Sequence, residues 1–354
     1  MAAGNRSRRW SNLPSDLIHL ISTKLPDLSD RVRIRAVCKM WKSSVSASDP
    51  SPCLPWFVSS EMDGTDEFVY YCLSSKKTCT IHCPQQRNSH IHGTAGGFIL
   101  CCKDRHTCPQ SISLFNPLTG LEISVPKPKE SKKFSVVSNP FQKDLVVILG
   151  LQDSKNFVGL IRPGDDAWVI RRLDMMLYEE LCVWYNGTCY IKEYGIPPWI
   201  GDATTRSVLS TVPLPPPPAP RGPHPILKPR YMLETCGEIL LIFMHSTSIC
   251  ELEEIYFSIY RLNKMGEEEN YQWVKVRGIG DRMLFLDNVR SFVLKASDFS
   301  GFTRNCIYFQ SYDYKRLRFL LCRHDLDTGT TKVLPNFSGK YWSTWMIPNL
   351  SKSN

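Results

Sequence analysis

Six cysteines and four histidines crowd one stretch of this 354-residue chain: Cys72, Cys79, Cys83, Cys101, Cys102 and Cys108, with His82, His90, His92 and His106. Thiolates and imidazoles are ligands that zinc favours, and a structural site needs four of them converging tetrahedrally, two from each of two short turns. The spacing argues against such a site. Cys79-x3-Cys83 is followed too soon by His90-x-His92, a pair too close together for the second half of a finger. Adjacent Cys101 and Cys102 point to opposite faces if they lie on a strand. The expectation is structural cysteines, with no metal and no cofactor. Signatures of covalent chemistry are equally thin: there is no Gly-x-Ser-x-Gly elbow, no Gly-x4-Gly-Lys phosphate loop and no His-Glu-x-x-His pair. Gly278-Ile279-Gly280 lacks the third glycine and following helix of a dinucleotide site, and it reads as a turn between strands. No catalytic residue is assigned, and the chain is not expected to be an enzyme.

Composition narrows the remaining classes. With 42% hydrophobic and 22% charged residues the sequence is that of an ordinary globular protein, long enough for two domains. Its longest apolar runs, Leu145 to Leu151 and Ile239 to Met244, fall well short of the ~20 residues that cross a bilayer, so no membrane partner is expected. No apolar stretch follows the basic start, which excludes a secretory signal as the expectation. Fourteen cysteines then point to a reducing compartment, the nucleus or the cytoplasm, where the sequons at Asn186, Asn336 and Asn349 stay unmodified. The net charge of +9 is unevenly placed: residues 1–50 hold a surplus of five positive charges. A surface that tracks phosphates needs clustered charge on one face. Arg31, Arg33 and Arg35 alternate along one short segment and are expected to be solvated or partner-facing, so no nucleic acid is assigned.

The elements that would position any functional residue begin with Trp10 to Ser46. Leu17, Leu20, Ile21 and Leu25 recur three and four apart, which predicts a helix over Ser15 to Lys24 with Ser15 or Asn12 capping it and Pro26 ending it. A second helix enters at Leu28-Ser29-Asp30, capped by Ser29 or Asp30, and runs through Val32, Ala36 and Val37. A third carries Trp41 and Val45. Three helices with about eight large apolar side chains enclose little core, and units below ~40 residues usually need a partner. Some of that apolar surface must dock elsewhere.

These residues carry a resemblance. Leu13-Pro14, Leu17, Ile21, Leu25-Pro26, Leu28, Val32, Arg35 and Val37-Cys38-Lys39 closed by Trp41 resemble the F-box pattern LPxxLL, I, LP, L, R and VCK.W. The resemblance implies a three-helix unit at 10–48 that binds the Skp adaptor, and through it cullin. The implied apolar contacts are Leu13, Pro14, Leu17, Ile18, Ile21, Leu25, Val32, Val37 and Trp41, with Arg35 and Cys38 in support.

After Pro50 the pattern changes. A stretch at 49–66 reads as linker, and from 67 onward short β-rich runs bounded by turn residues follow one another with almost no helical spacing, as in a sandwich, barrel or propeller. Internal repetition separates these. Asn116-Pro117-Leu118-Thr119-Gly120, ending at Val125-Pro126, returns 209 residues later as Asp325-Leu326-Asp327-Thr328-Gly329, ending at Leu334-Pro335. Related turns at Gly164 and Gly266, with a further hairpin at Asn186-Gly187, fit units of roughly 40 to 55 residues, the size of a four-stranded blade. The predicted fold is α+β and multidomain: the helical unit, then an all-β propeller over 67–350 of about six blades. Closure of the ring should bring the strands near Trp56 to Cys83 beside Trp342 to Met346.

This region too is similar to a known family. Gly280 to Leu286, Ser291-Phe292, Ala296 to Phe299, Asn305 to Phe309, the Asp325 to Gly329 turn and Ile347-Pro348 resemble the KIB-type β-propeller that follows the F-box in a large plant family. The likeness is strongest from Tyr256 onward and weakens around 196–230. There Val212 to Pro225, within the Pro-rich loop 212–225, favours an extended polyproline path and reads as a blade connection. The acidic runs Glu267 to Glu269 and Glu251, Glu253 and Glu254 read as solvated loops.

Together the two resemblances imply a substrate-recruiting subunit of an SCF (Skp, cullin, F-box) ubiquitin ligase, a non-catalytic adaptor whose propeller binds an unknown protein substrate. Two alternatives stand beside it. One is a ligand-binding or enzymatic propeller; the other is an F-box protein that sequesters a partner without ubiquitination.

Overall fold

The computed structural model describes residues 10–47, 52–59, 65–103 and 111–126, separate strands between 133 and 211, and most of 228–350. The Pro-rich loop, both acidic runs, Cys108, His106 and the turns at Gly164, Gly187 and Gly266 lie outside the described residues.

Three helices come first: α1 (Ser15–Thr23), α2 (Leu28–Val37) and α3 (Lys39–Ser44). Pro26 ends the first as expected, but the caps differ from the sequence reading. Pro14 occupies the N-cap of α1 and makes no side-chain cap bond. Asp27, rather than Ser29 or Asp30, caps α2 by accepting from the Ser29 backbone N–H at 2.9 Å. Propensity cannot choose among neighbouring Asp and Ser residues, all good caps; here the tertiary partners of Asp27 decide.

Beyond Ser44 no α-helix occurs among the described residues, whose strands form six antiparallel-rich sheets, five of four strands and one of five. The repeat spacing led to an expectation of about six blades.

The chain ends meet. Trp56–Ser59 lies between Glu67–Cys72 and the final strand Ser343–Met346, with Phe57 opposite Trp345 and Trp56 opposite Met346. Strand Trp56–Ser59 falls inside the stretch read as linker, and its pairing with the final strand is the one expected from closure of the ring. Period-two alternation sends Trp56 and Val58 to one face and Phe57 to the other. Trp56 and Val58 pack with Phe68 of the neighbouring strand and with Ile91, Ile99 and Phe115 of the following sheet. Phe57 packs with Trp345, Phe285 and Tyr308 toward the sheet formed by 282–333. The closing sheet is thus greasy on both sides, as a blade wedged between two neighbours must be.

Polar ties add to closure. The Trp345 indole N–H donates to the Leu286 carbonyl at 3.1 Å, and the Trp345 backbone N–H donates to the buried Asp287 carboxylate at 3.0 Å. On the far side the Thr94 hydroxyl donates to the Trp345 carbonyl at 2.6 Å. Glu238 bridges two other sheets, taking Arg261 at 3.0 Å and Arg282 at 2.8 Å.

The two repeated turns have the same chemistry. The Asn116 side-chain oxygen accepts from the backbone N–H groups of Leu118 and Thr119, and the Asp325 carboxylate does so from Asp327 and Thr328. Each ends in a glycine at φ 68°, in the left-handed region that a side chain disfavours.

A pH dependence follows from His324, buried on the strand that leads into the second of these turns. Its Nδ1 pairs with the Thr331 hydroxyl at 2.9 Å and its ring meets Phe257 edge-on. Burial pushes the imidazole below its ordinary value of 6.5, with Asp325 opposing more weakly. The unfolded chain therefore binds a proton that the fold refuses. The stability so gained is full above about pH 6.5 and is lost as pH falls through the lowered value. Thermal melts should show a drop in Tm between pH 7.5 and 5 that is smaller in His324→Gln, which keeps a partner for Thr331.

Candidate functional site

The helical unit has an inside and an outside, set by 3.6-residue periodicity. On α1 the inward positions are Ile18 and Ser22, both buried, as are Leu28 of α2 and Val45 after α3. The outward positions are Leu17, Leu20 and Ile21, which are 48%, 54% and 41% exposed. Ser22 settles its hydroxyl by donating to the His19 carbonyl at 2.7 Å. The apolar stripe of α1 therefore faces away from its own chain while a serine takes an inward place, the reverse of a helix that serves only its own core. Val37 of α2 at 60%, Met40 of α3 at 38% and Trp10 ahead of α1 are exposed as well.

Of the residues singled out from the sequence, Pro14, Leu17, Ile21, Val37 and Cys38 are exposed, and Leu13, Leu25, Val32, Arg35 and Trp41 are partly buried. Ile18 lies inside, only 1% exposed. Arg35 and Cys38 make hydrogen bonds that hold α3. The Arg35 guanidinium donates to the carbonyls of Lys42 and Val45, holding the end of α3, where those groups lack helical partners. The Cys38 sulfur accepts from the Trp41 backbone N–H at 3.5 Å as the N-cap of α3. Leu20 and Met40 complete the outward surface and were not among the assigned contacts. Leu20 was legible, three residues after Leu17.

Arg31 corrects the charge reading. It is neither solvated nor turned outward but buried, donating to the carbonyls of Leu25 at 3.2 Å and Pro52 at 2.6 Å. Only Arg33 of the three is exposed, paired with Asp30. Alternation in the sequence could not reveal that the connection at Pro52 folds back over α2.

Cys101 packs with Trp56 and Phe68, whereas Cys102 packs with Ile112 and Leu114 on the other face. Among the described residues no group of three or more His, Cys, Asp or Glu is placed to hold a metal ion. Burial pushes the thiols of Cys83 and Cys102 up to about 11 and about 12, which keeps them protonated near neutrality. Gly278 to Gly280 forms a turn fixed by the Asn305 side chain, which accepts from the Ile279 N–H at 2.8 Å.

A helical unit with an uncovered apolar stripe, joined to sheets that close through the two chain ends, defines the class: an F-box followed by a propeller. The sequence matches the F-box domain at residues 10–50 and the KIB1-4 beta-propeller at 69–333, and the chain belongs to that family of F-box proteins. Curated relatives from Arabidopsis thaliana agree. F-box protein SKIP23 is 24% identical, covering 82% of this chain and 80% of its own length. F-box protein At2g05970 is 23% identical with both chains covered in full. No described helix is long and apolar enough to cross a membrane.

Proposed function

We propose that this protein is the substrate-recruiting subunit of an SCF ubiquitin ligase. The F-box holds a Skp-family adaptor, and through it cullin, while a closed six-bladed propeller presents a protein substrate in the nucleus or cytoplasm. The observation that carries this reading is the outward stripe of Leu17, Leu20 and Ile21, with Val37 and Met40 exposed as well. Monomeric proteins rarely leave such a contiguous patch uncovered without a partner for it. In this reading the chain makes and breaks no covalent bond. It works by effective concentration, turning the encounter of substrate with the charged conjugating enzyme into a nearly intramolecular one.

Affinity purification of the tagged chain, with and without proteasome inhibition, tests this. The expected result is co-purification of a Skp adaptor and a cullin, together with a further protein that accumulates when the proteasome is blocked. Absence of adaptor and cullin would favour a propeller that works alone. A stable partner whose level ignores the inhibitor would favour sequestration.

A further inference from the structure

Resting on the reading above, a second question arises: what fixes the direction in which the F-box presents its propeller. The junction answers with buried charge. Asp27, the cap of α2, is only 3% exposed, and its two oxygens between them reach the helix and the sheet domain. Its Oδ1 accepts from the Ser29 N–H and, at 3.4 Å, from the indole N–H of Trp56. Its Oδ2 accepts from the Cys72 thiol and, at 3.1 Å, from the Ser74 hydroxyl. Trp56 opens the second strand of the closing sheet, and Cys72 ends the third.

One helical turn further on, Arg31 reaches the connection itself at Pro52. The same connection is gripped from the other side. The Leu54 N–H donates to the Pro26 carbonyl at 2.8 Å, and the Cys53 thiol donates to the Pro348 carbonyl at 3.5 Å. The segment from Pro52 to Leu54 is therefore a strap tied to both units.

An isolated carboxylate is too costly to bury, and so is an isolated guanidinium; each is tolerated here because it is hydrogen-bonded, Asp27 to Trp56, Cys72 and Ser74 across the junction as well as to Ser29, and Arg31 to Pro52 of the connection as well as to Leu25. Burial pushes the Asp27 carboxyl up, and the bonds from Cys72, Ser29 and Ser74 outweigh that, holding it below the usual carboxylate range. Any rotation of the F-box against the closing sheet would leave these groups desolvated and unpaired. Apolar contact alone would let the two slide.

We infer that Asp27 and Arg31 are positioning residues: a buried polar latch that locks the F-box to the first blade and so sets the orientation of the substrate-bearing propeller relative to the adaptor. They act through geometry, touching neither adaptor nor substrate.

Capping and latching can be separated. In Asp27→Ser the new hydroxyl still caps α2 but is too short to reach Trp56 and Cys72. Arg31→Met keeps the apolar stem and removes the bond to the strap at Pro52 together with that to Leu25. Asp27→Asn keeps the acceptor for Trp56 and offers Ser74 an amide in place of the second oxygen. Spin labels are placed on ketone-bearing residues at Lys24 and Lys315, both exposed, one on each unit. Pulsed EPR on the full chain then reads the distribution of distances between them. The expected result is one narrow distribution in the parent chain and in Asp27→Asn, with a width at least doubled in Asp27→Ser and in Arg31→Met. Adaptor pull-down should change less than twofold in all three. Parent-like widths in Asp27→Ser and Arg31→Met would overturn the latch, and Arg31→Met decides alone should Asp27→Ser not fold. The distances are read without adaptor, so failure of adaptor binding would defeat the proposed function and leave this test standing.

Discussion

Replacing Trp345 by Ala is expected to lower stability by about 3–5 kcal/mol, the range for truncating a large buried aromatic. Trp345 is 1% exposed, and its ring centroid stands 4.5 Å from that of Phe57 and 5.1 Å from that of Phe285. Its removal leaves a cavity where the last strand meets the first and strips the Leu286 carbonyl of its indole donor. Whole domains are stable by only about 5–15 kcal/mol, so a large part of the margin would vanish with one side chain. The fluorescence and circular dichroism midpoints in urea should both move sharply down. Trp10→Ala, on an exposed ring, should leave them within about 0.5 kcal/mol of the parent. Parent-like midpoints for Trp345→Ala would mean that the ring is not held shut by its chain ends.

The second large effect concerns binding. Leu17 and Ile21 are neighbours on one face of α1, each already partly in water, so truncating them costs the free chain little. Once an adaptor covers them, each loses roughly 1–2 kcal/mol of apolar burial when cut to Ala. Together they should weaken the complex by about 100-fold, since every 1.4 kcal/mol is tenfold. The same double change should leave thermal unfolding of the free chain nearly unmoved. That contrast separates an interface from a core: Ile18→Ala, one residue away but buried, should show the opposite pattern.

The sequence carried the strands well wherever β-branched and aromatic residues ran together. Ser111–Phe115, Thr188–Ile191 and Tyr271–Val276 are strands where such runs stand in the sequence. It carried Ser89–Ala95 poorly, because His90, Gly93 and Ala95 have no strand preference and the strand exists through pairing with Phe98–Lys103. Trp56–Ser59 was placed by the closure argument, which set strands near Trp56 beside Trp342 to Met346, although four residues between prolines and polar loops otherwise read as linker.

The candidate site was legible because helical period is local information, and Leu17 and Ile21 stand out at four-residue spacing. Which side of that helix faces outward was not legible; it depends on where α3 packs. Asp27 was passed over and Arg31 misread for the same cause. A surface position is the ordinary place for an arginine near a helix start, and the partners that bury the two, Pro52, Trp56 and Cys72, lie outside the helices.

The central claim is that the apolar stripe of α1 is covered by a second protein. Calorimetric titration of the purified full chain with a purified Skp-family adaptor tests it most directly, because burial of apolar surface gives a negative heat-capacity change on binding. The account predicts a saturating one-to-one isotherm with that signature for the parent chain, and about 100-fold weaker binding for the Leu17→Ala, Ile21→Ala double variant. An isotherm without binding, or one that the double variant leaves unchanged, would contradict it.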